Sequence, residues 1–78
     1  MTLEIISAHE ITFSGEVTAV TLPGKMGSFT VLNNHAALIS VLDKGDMRYT
    51  DTEGMEHSLT IDGGLVDVNN NKISVCVY

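Results

Sequence analysis

The sequence predicts an all-β fold, a flattened antiparallel β-sandwich or barrel of roughly ten short strands, and three observations carry that expectation. Apolar and polar residues alternate with a period of two in several short runs. Turn-forming residues recur between those runs at roughly 8–12-residue spacing, and no segment sustains the 3.6-residue period of a helix. With 78 residues, 44% of them apolar and 18% charged, the chain has the composition of a folded domain and the length for one core. A core of this size rarely supplies more than about 3–5 kcal/mol, so either its packing is very good or a partner contributes. The expected organisation is a single domain over residues 1–78 with no C-terminal helical hairpin.

The elements follow in chain order. Leu3 to Ile6, Gly15 to Leu22, Asp46 to Thr50, Met55 to Ile61 and Leu65 to Val68 are short and rich in Val, Ile, Leu and Thr, the composition of strands. At the end, Ile73, Val75 and Val77 alternate with Ser74, Cys76 and Tyr78, so one face of this strand points into the core. Leu32 to Leu42 is denser in apolar residues, but it is short for a helix and stops at Asp43-Lys44-Gly45, which favours a buried strand. Pro23-Gly24, Asp43-Lys44-Gly45, Asp51-Thr52-Glu53-Gly54, Asp62-Gly63-Gly64 and Asn69-Asn70-Asn71 are the breaks, and turns this close together imply antiparallel pairing. Hairpins are expected around Asp51 to Gly54 and Asn69 to Lys72.

Charge and cysteine content narrow the function classes. The net charge is −6, and Lys25, Lys44, Arg48 and Lys72 are scattered singly, which disfavours nucleic-acid binding and favours a protein partner with a basic face. A lone cysteine, Cys76, excludes an internal disulfide and fits the cytosol. The N-terminal residues carry no basic region or long apolar run, so any membrane association is expected to be indirect.

Candidate chemistry is sparse. His9, His35 and His57 lack ligand-like spacing with one another or with Cys76, and no cofactor or metal is implied. Ser14 and Ser58 are not in a nucleophile-elbow context. Pro23-Gly24-Lys25-Met26-Gly27 has neither the spacing nor the Ser/Thr of a phosphate loop, and its plain reading is a mobile connection between strands. The acidic residues Glu4, Glu10, Glu16, Asp51, Glu53, Glu56 and Asp67 read as solvated sheet face or turns. Met26, Phe29 and Met47 are candidate interface anchors, although Met and Phe in a sequence are more often core residues.

An ordered set of motifs resembles one family over nearly the whole chain. Phe13-Ser14-Gly15-Glu16-Val17, Val20-Thr21-Leu22-Pro23-Gly24, Gly27-Ser28-Phe29-Thr30-Val31-Leu32, His35-Ala36-Ala37-Leu38, Gly63-Gly64-Leu65-Val66-Asp67-Val68 and Asn71-Lys72-Ile73-Ser74-Val75 follow the order of the N-terminal β-sandwich domain of the F-type ATP synthase epsilon subunit. The family usually reads Gly-x-Phe-Gly-Val-Leu-Pro-Gly-His-Ala-Pro-Leu where this chain has Thr30, Asn33, Asn34 and Ala37, so the path of the loop before His35 is in question. Two asparagines keep turn chemistry available, since Asn tolerates the left-handed region, but lose the fixed φ of proline.

The resemblance implies a non-catalytic rotor subunit of the central stalk, linking the gamma subunit to the membrane c-ring and coupling ion transport to ATP synthesis. It places His35, Ala36 and Leu38 at the gamma interface and Gly24, Lys25, Met26, Gly27, Ser28 and Phe29 in a loop facing the c-ring. It implies a peripheral position on the cytoplasmic face of the bacterial inner membrane. The helical hairpin that in many relatives inhibits ATP hydrolysis has no counterpart in the sequence. Two other readings stand beside it: an unrelated β-sandwich adaptor, which composition alone supports equally, and a small β-barrel enzyme or metal protein using His35 with His9 or His57, which the spacing does not support.

Overall fold

The computed structural model describes all 78 residues, and they form eight strands and no helix: β1 (Thr2–Ile6), β2 (Ile11–Gly24), β3 (Gly27–Leu32), β4 (Leu38–Leu42), β5 (Gly45–Asp51), β6 (Glu56–Ile61), β7 (Gly64–Asn69) and β8 (Lys72–Val77). Strand β2 is the organising element. Its first half pairs with β1, and its second half pairs with β3 on one side and β5 on the other. The register against β5 shifts between Val17 and Ala19, and this bulge lies where β2 passes from one layer to the other. One layer is therefore β3-β2-β5-β6 and the other β2-β1-β8-β7-β4, which β2 shares at its two ends.

Strict alternation fills the space between the layers. Leu3 and Ile5, Val17, Val20 and Leu22, Val31, Leu42, Met47, Ile61, Val66 and Val68, and Ile73 and Val75 form one cluster, with Phe13, Phe29, Leu38, Tyr49, Leu59 and Val77 packed against it. No polar side chain is buried, so the core depends on apolar burial and on the sheet hydrogen bonds alone.

Three expectations need correction. Fewer, longer strands replace the roughly ten short ones, because β2 runs 14 residues and absorbs both Phe13-Ser14 and Pro23-Gly24. Pairing is not wholly antiparallel: β1 and β8 lie parallel, Leu3 opposite Ile73 and Ile5 opposite Val75. Turn spacing constrains only consecutive strands, and these two are joined by the rest of the chain. The Leu32 to Leu42 stretch does hold a strand, β4, but not a buried one, since Ile39 is 71% and Val41 48% exposed. Both expected hairpins form. In the β7–β8 turn Asn70 and Asn71 take φ of 51° and 61°, the pair of left-handed residues that a two-residue turn between twisted strands requires.

Candidate partner-binding surface

Pro23 to Gly27, expected as a mobile connection, and Gly24 to Phe29, expected as a loop, lie in one tight hairpin. Gly24 pairs with Gly27 and Leu22 with Phe29, leaving only Lys25 and Met26 outside the strands. A Cβ on Gly24 would stand 2.6 Å from the Gly27 carbonyl oxygen and 2.8 Å from the Phe29 ring, so this neck admits only glycine. Phe29 turns inward against the core, whereas Met26 is fully exposed at the tip with Lys25 and Ser28 beside it. Met47, the other anchor candidate, is wholly buried, because it sits on the inward side of β5 opposite Leu59.

The His35 segment is better ordered than its asparagines suggest. Asn34 takes φ 64° where the family pattern has glycine, and its amide donates to Asn71 Oδ1 at 2.9 Å, pinning this loop to the β7–β8 turn. The His35 amide donates to Leu32 O at 3.2 Å, and its ring Nδ1 lies 2.7 Å from Ala36 O. A carbonyl can only accept, so Nδ1 carries the proton and Nε2 remains available. His35 is half-buried and Ala36 exposed, while Leu38 packs inward on the core. Leu38 is nonetheless only half-buried, like His35, and lines a shallow depression with Ala37, Ile39 and Asp67, so all three residues keep some surface.

Just beyond this segment lies a surface that the sequence did not single out. On the outer face of the second layer, Ile6 stands opposite Cys76, Cys76 opposite Leu65, and Leu65 opposite Val41, one register position on four adjacent strands. Ile11 extends the row past the β1–β2 register shift, and Ile39 lies one step along β4. Ile11, Ile39, Val41 and Leu65 are 60%, 71%, 48% and 46% exposed, and Cys76 is exposed among them. A contiguous aliphatic row across a sheet is unusual for a surface facing only water. A signal for it existed, because Ile5-Ile6, Leu38-Ile39, Val41-Leu42, Leu65-Val66 and Val75-Cys76-Val77 are apolar at consecutive positions. Consecutive apolar residues in a strand put apolar groups on both faces.

The next register row out is acidic and hydroxylic: Ser14, Glu4, Ser74 and Asp67 stand side by side. An apolar stripe with a charged border is the anatomy of a protein interface, and the sign of the border suits a basic rim on the partner. At the edge of this face Glu16 accepts from Thr2 Oγ1 at 2.9 Å and pairs with the Met1 ammonium at 3.3 Å. The Thr2 hydroxyl first, and then the ammonium, hold its carboxyl below the usual range.

His9 lies in the β1–β2 connection, His35 before β4 and His57 in β6, and no three His, Cys, Asp or Glu side chains converge on a common point. The fold presents this exposed apolar row with its acidic border on a helix-free sandwich whose two layers share β2.

The family model for the ATP synthase Delta/Epsilon chain, beta-sandwich domain, matches residues 1–78, and the chain belongs to that family. It is 39% identical over 70 residues to an ATP synthase epsilon chain of Chlorobium limicola, covering 90% of this chain and 80% of that one. It is also 39% identical over 77 residues to the epsilon chain of Sulfurovum sp. strain NBC37-1, covering 99% of this chain but 60% of the relative. The fold superimposes with a TM-score of 0.91 on a chain in the Euglena gracilis mitochondrial ATP synthase OSCP/F1/c-ring structure, at 23% identity, covering 96% of this chain and 48% of that one. A chain in the Tetrahymena thermophila mitochondrial ATP synthase central stalk/c-ring structure matches with a TM-score of 0.81 at 16% identity, over 97% of this chain and 61% of that one.

Proposed function

We propose that this chain, as a single domain over residues 1–78, is a non-catalytic rotor subunit of the central stalk of an F-type ATP synthase. In this role it links the gamma subunit to the c-ring and couples ion movement to ATP synthesis. The observation that carries the reading is the apolar row Ile6-Cys76-Leu65-Val41 with its acidic border. Gamma covers that row, and His35, Ala36 and the half-buried Leu38 extend the contact at the head of β4. The β2–β3 tip, Lys25 and Met26, meets the c-ring, with Gly24, Gly27 and Ser28 keeping the backbone close to it. Phe29 supports the hairpin from within. No helix is long and apolar enough to cross a membrane. In this role attachment runs through partner subunits. In a bacterium the assembly places this chain on the cytoplasmic face of the inner membrane. The chain performs no chemistry; its contribution is rigid connection.

Cys76 supplies a native probe. It is the sole cysteine and lies within the row. Alkylation of its thiol in the free chain should proceed at the rate of an exposed cysteine and slow at least ~10-fold when gamma is bound, as burial of a thiol in an interface demands. Co-purification of gamma with the chain while Cys76 still reacts at the free rate would place the gamma contact on another face. Absence of any gamma association would remove the reading itself.

A further inference from the structure

The strands β1, β8, β7, β4 and β2 form a closed ring, and its seams are very unequal. The pairings β1–β2, β1–β8 and β4–β7 each join five positions and β7–β8 joins six, but β2 meets β4 at one position only, Gly24 opposite Leu42. That bridge consists of two hydrogen bonds, Lys25 N–H to Val41 O at 3.0 Å and Asp43 N–H to Pro23 O at 2.8 Å. One side of the bridge is the neck of the β2–β3 hairpin. The other is β4, which carries Ile39 and Val41 outward into the apolar row.

Several further contacts immobilise the neck. Phe29 anchors the hairpin in the core, and a Cβ on Gly45 would stand 3.0 Å from Pro23 Cβ, so the start of β5 lies directly against the proline. Asp43 Oδ1 accepts from Lys44 N–H at 2.9 Å and fixes the turn that presents the Asp43 amide. Beyond the neck only two residues remain outside the strands, which leaves the tip little slack.

We infer that the Gly24–Leu42 bridge is a strut, making the Lys25–Met26 tip and the outer face of β4 one rigid body, so that displacement of the tip is delivered to whatever covers the apolar row. This rests on the reading that the tip meets the c-ring and the row meets gamma. The Asp43 and Lys25 amides are its positioning groups and touch neither partner. Gly24 accordingly serves close packing and Gly27 the positive φ of 127° at the turn, and neither is assigned to hinge motion.

Two measurements test it. In the free wild-type chain, amide hydrogen exchange at Lys25 and Asp43 should be at least ~100-fold slower than at Met26 and should approach that of core amides such as Val66. Exchange of both at the Met26 rate would overturn the strut whatever the chain binds. In the assembled synthase, Asp43→Pro deletes one donor of the bridge together with the carboxylate that holds Lys44 N–H, and substitutes no residue of the tip or the row; Asp43→Ala, which removes the carboxylate alone, is its control. Gamma association should persist, while ATP-driven ion pumping per ATP hydrolysed falls roughly two- to thirty-fold, the range for a change in a coupling element. Pumping at the wild-type ratio, or loss of assembly by a folded variant, would overturn the inference. If Asp43→Pro does not fold, the exchange rates decide. Failure of the wild-type chain to enter the synthase would instead refute the functional reading, and the exchange data would still judge the strut.

Discussion

The two outer faces of the sandwich are laid down by the same alternation and carry opposite chemistry. On the first layer Thr30 stands beside Thr21, Thr21 beside Arg48 and Arg48 beside Ser58. These groups satisfy one another or water: the Thr21 and Thr30 hydroxyls lie 2.9 Å apart, and Thr60 Oγ1 donates to Asp46 Oδ1 at 2.7 Å. On the second layer the corresponding positions across β1, β8, β7 and β4 are Ile6, Cys76, Leu65 and Val41. Inward residues say only that a core exists. The outward residues separate a mostly polar face, on which Leu32 is the exposed aliphatic exception, from one crossed by an aliphatic row, and the predictions test that separation.

The largest effect should come from crossing from outside to inside on one strand. Val75 is fully buried on β8, and its neighbour Cys76 faces out. Val75→Asp places an unpaired carboxylate in the core, at a cost of several kcal/mol, comparable with the roughly 3–5 kcal/mol that a core of this size supplies. Urea unfolding should find the variant largely unfolded without denaturant. A melting curve matching wild type would mean the strand faces the other way.

Next in size is Leu65→Asp, on the outward row. The fold should survive, since the site is solvent-exposed in the free chain, but a charge within a desolvated interface should weaken gamma binding by about 2–4 kcal/mol, roughly 30- to 1000-fold. Ser58→Asp on the first layer is its counterpart. Placed opposite Arg48, it should alter stability by no more than about 0.5 kcal/mol and leave gamma affinity unchanged. Calorimetric titration of gamma into both variants checks the pair, and equal losses from the two faces would erase the distinction drawn between them.

A smaller effect is expected at the margin of the row. His35→Ala removes the ring whose Nδ1–H is held by Ala36 O and whose Nε2 is open to a partner. Gamma affinity should fall about 5- to 150-fold, the equivalent of about 1–3 kcal/mol, with circular dichroism and melting temperature nearly unchanged. Wild-type affinity would confine the interface to the strands.

How much of this was legible beforehand varies with how local the signal is. Strand identity along β1, β5, β6, β7 and β8 followed from short-range alternation, and the Asn70-Asn71 turn from residues that adopt positive φ readily. The parallel β1–β8 contact was not legible, because no local pattern encodes the meeting of two termini. For Phe29 and Met47 the sequence left anchor and core both open for a related reason: which side of a strand faces in depends on register against Leu22 and Leu59, which composition does not reveal. The apolar row was present in the sequence as pairs of consecutive aliphatic residues. It became a surface only once five strands were aligned.

The smallest effect concerns the polar end of the first layer, where Asp51 organises the β5–β6 turn. Its Oδ1 accepts from the Glu53 and Met55 amides, each at 2.9 Å, and Oδ2 meets His57 Nε2 at 2.9 Å, with the His57 ring stacked on Tyr49 at 5.0 Å between centroids. The hydrogen bond from His57, and after it that from the Met55 amide, hold the Asp51 carboxyl below its ordinary value of 3.8. Because the folded value is the lower one, the unfolded chain binds more protons between the two values. The contribution to stability is therefore present above the ordinary value and is lost as the pH falls through the folded one. His57→Ala removes the largest cause, so the Asp51 carboxyl should titrate closer to its ordinary value and the variant should lose less stability than wild type as the pH falls through 3.8 and below. Following the Asp51 carboxyl carbon by NMR gives the midpoint directly, and the difference in pH slope separates this term from any loss of stacking on Tyr49, which acts at every pH. Identical midpoints in the two proteins would show that the backbone amides alone hold the carboxylate, leaving His57 as a packing residue of the solvent-facing layer.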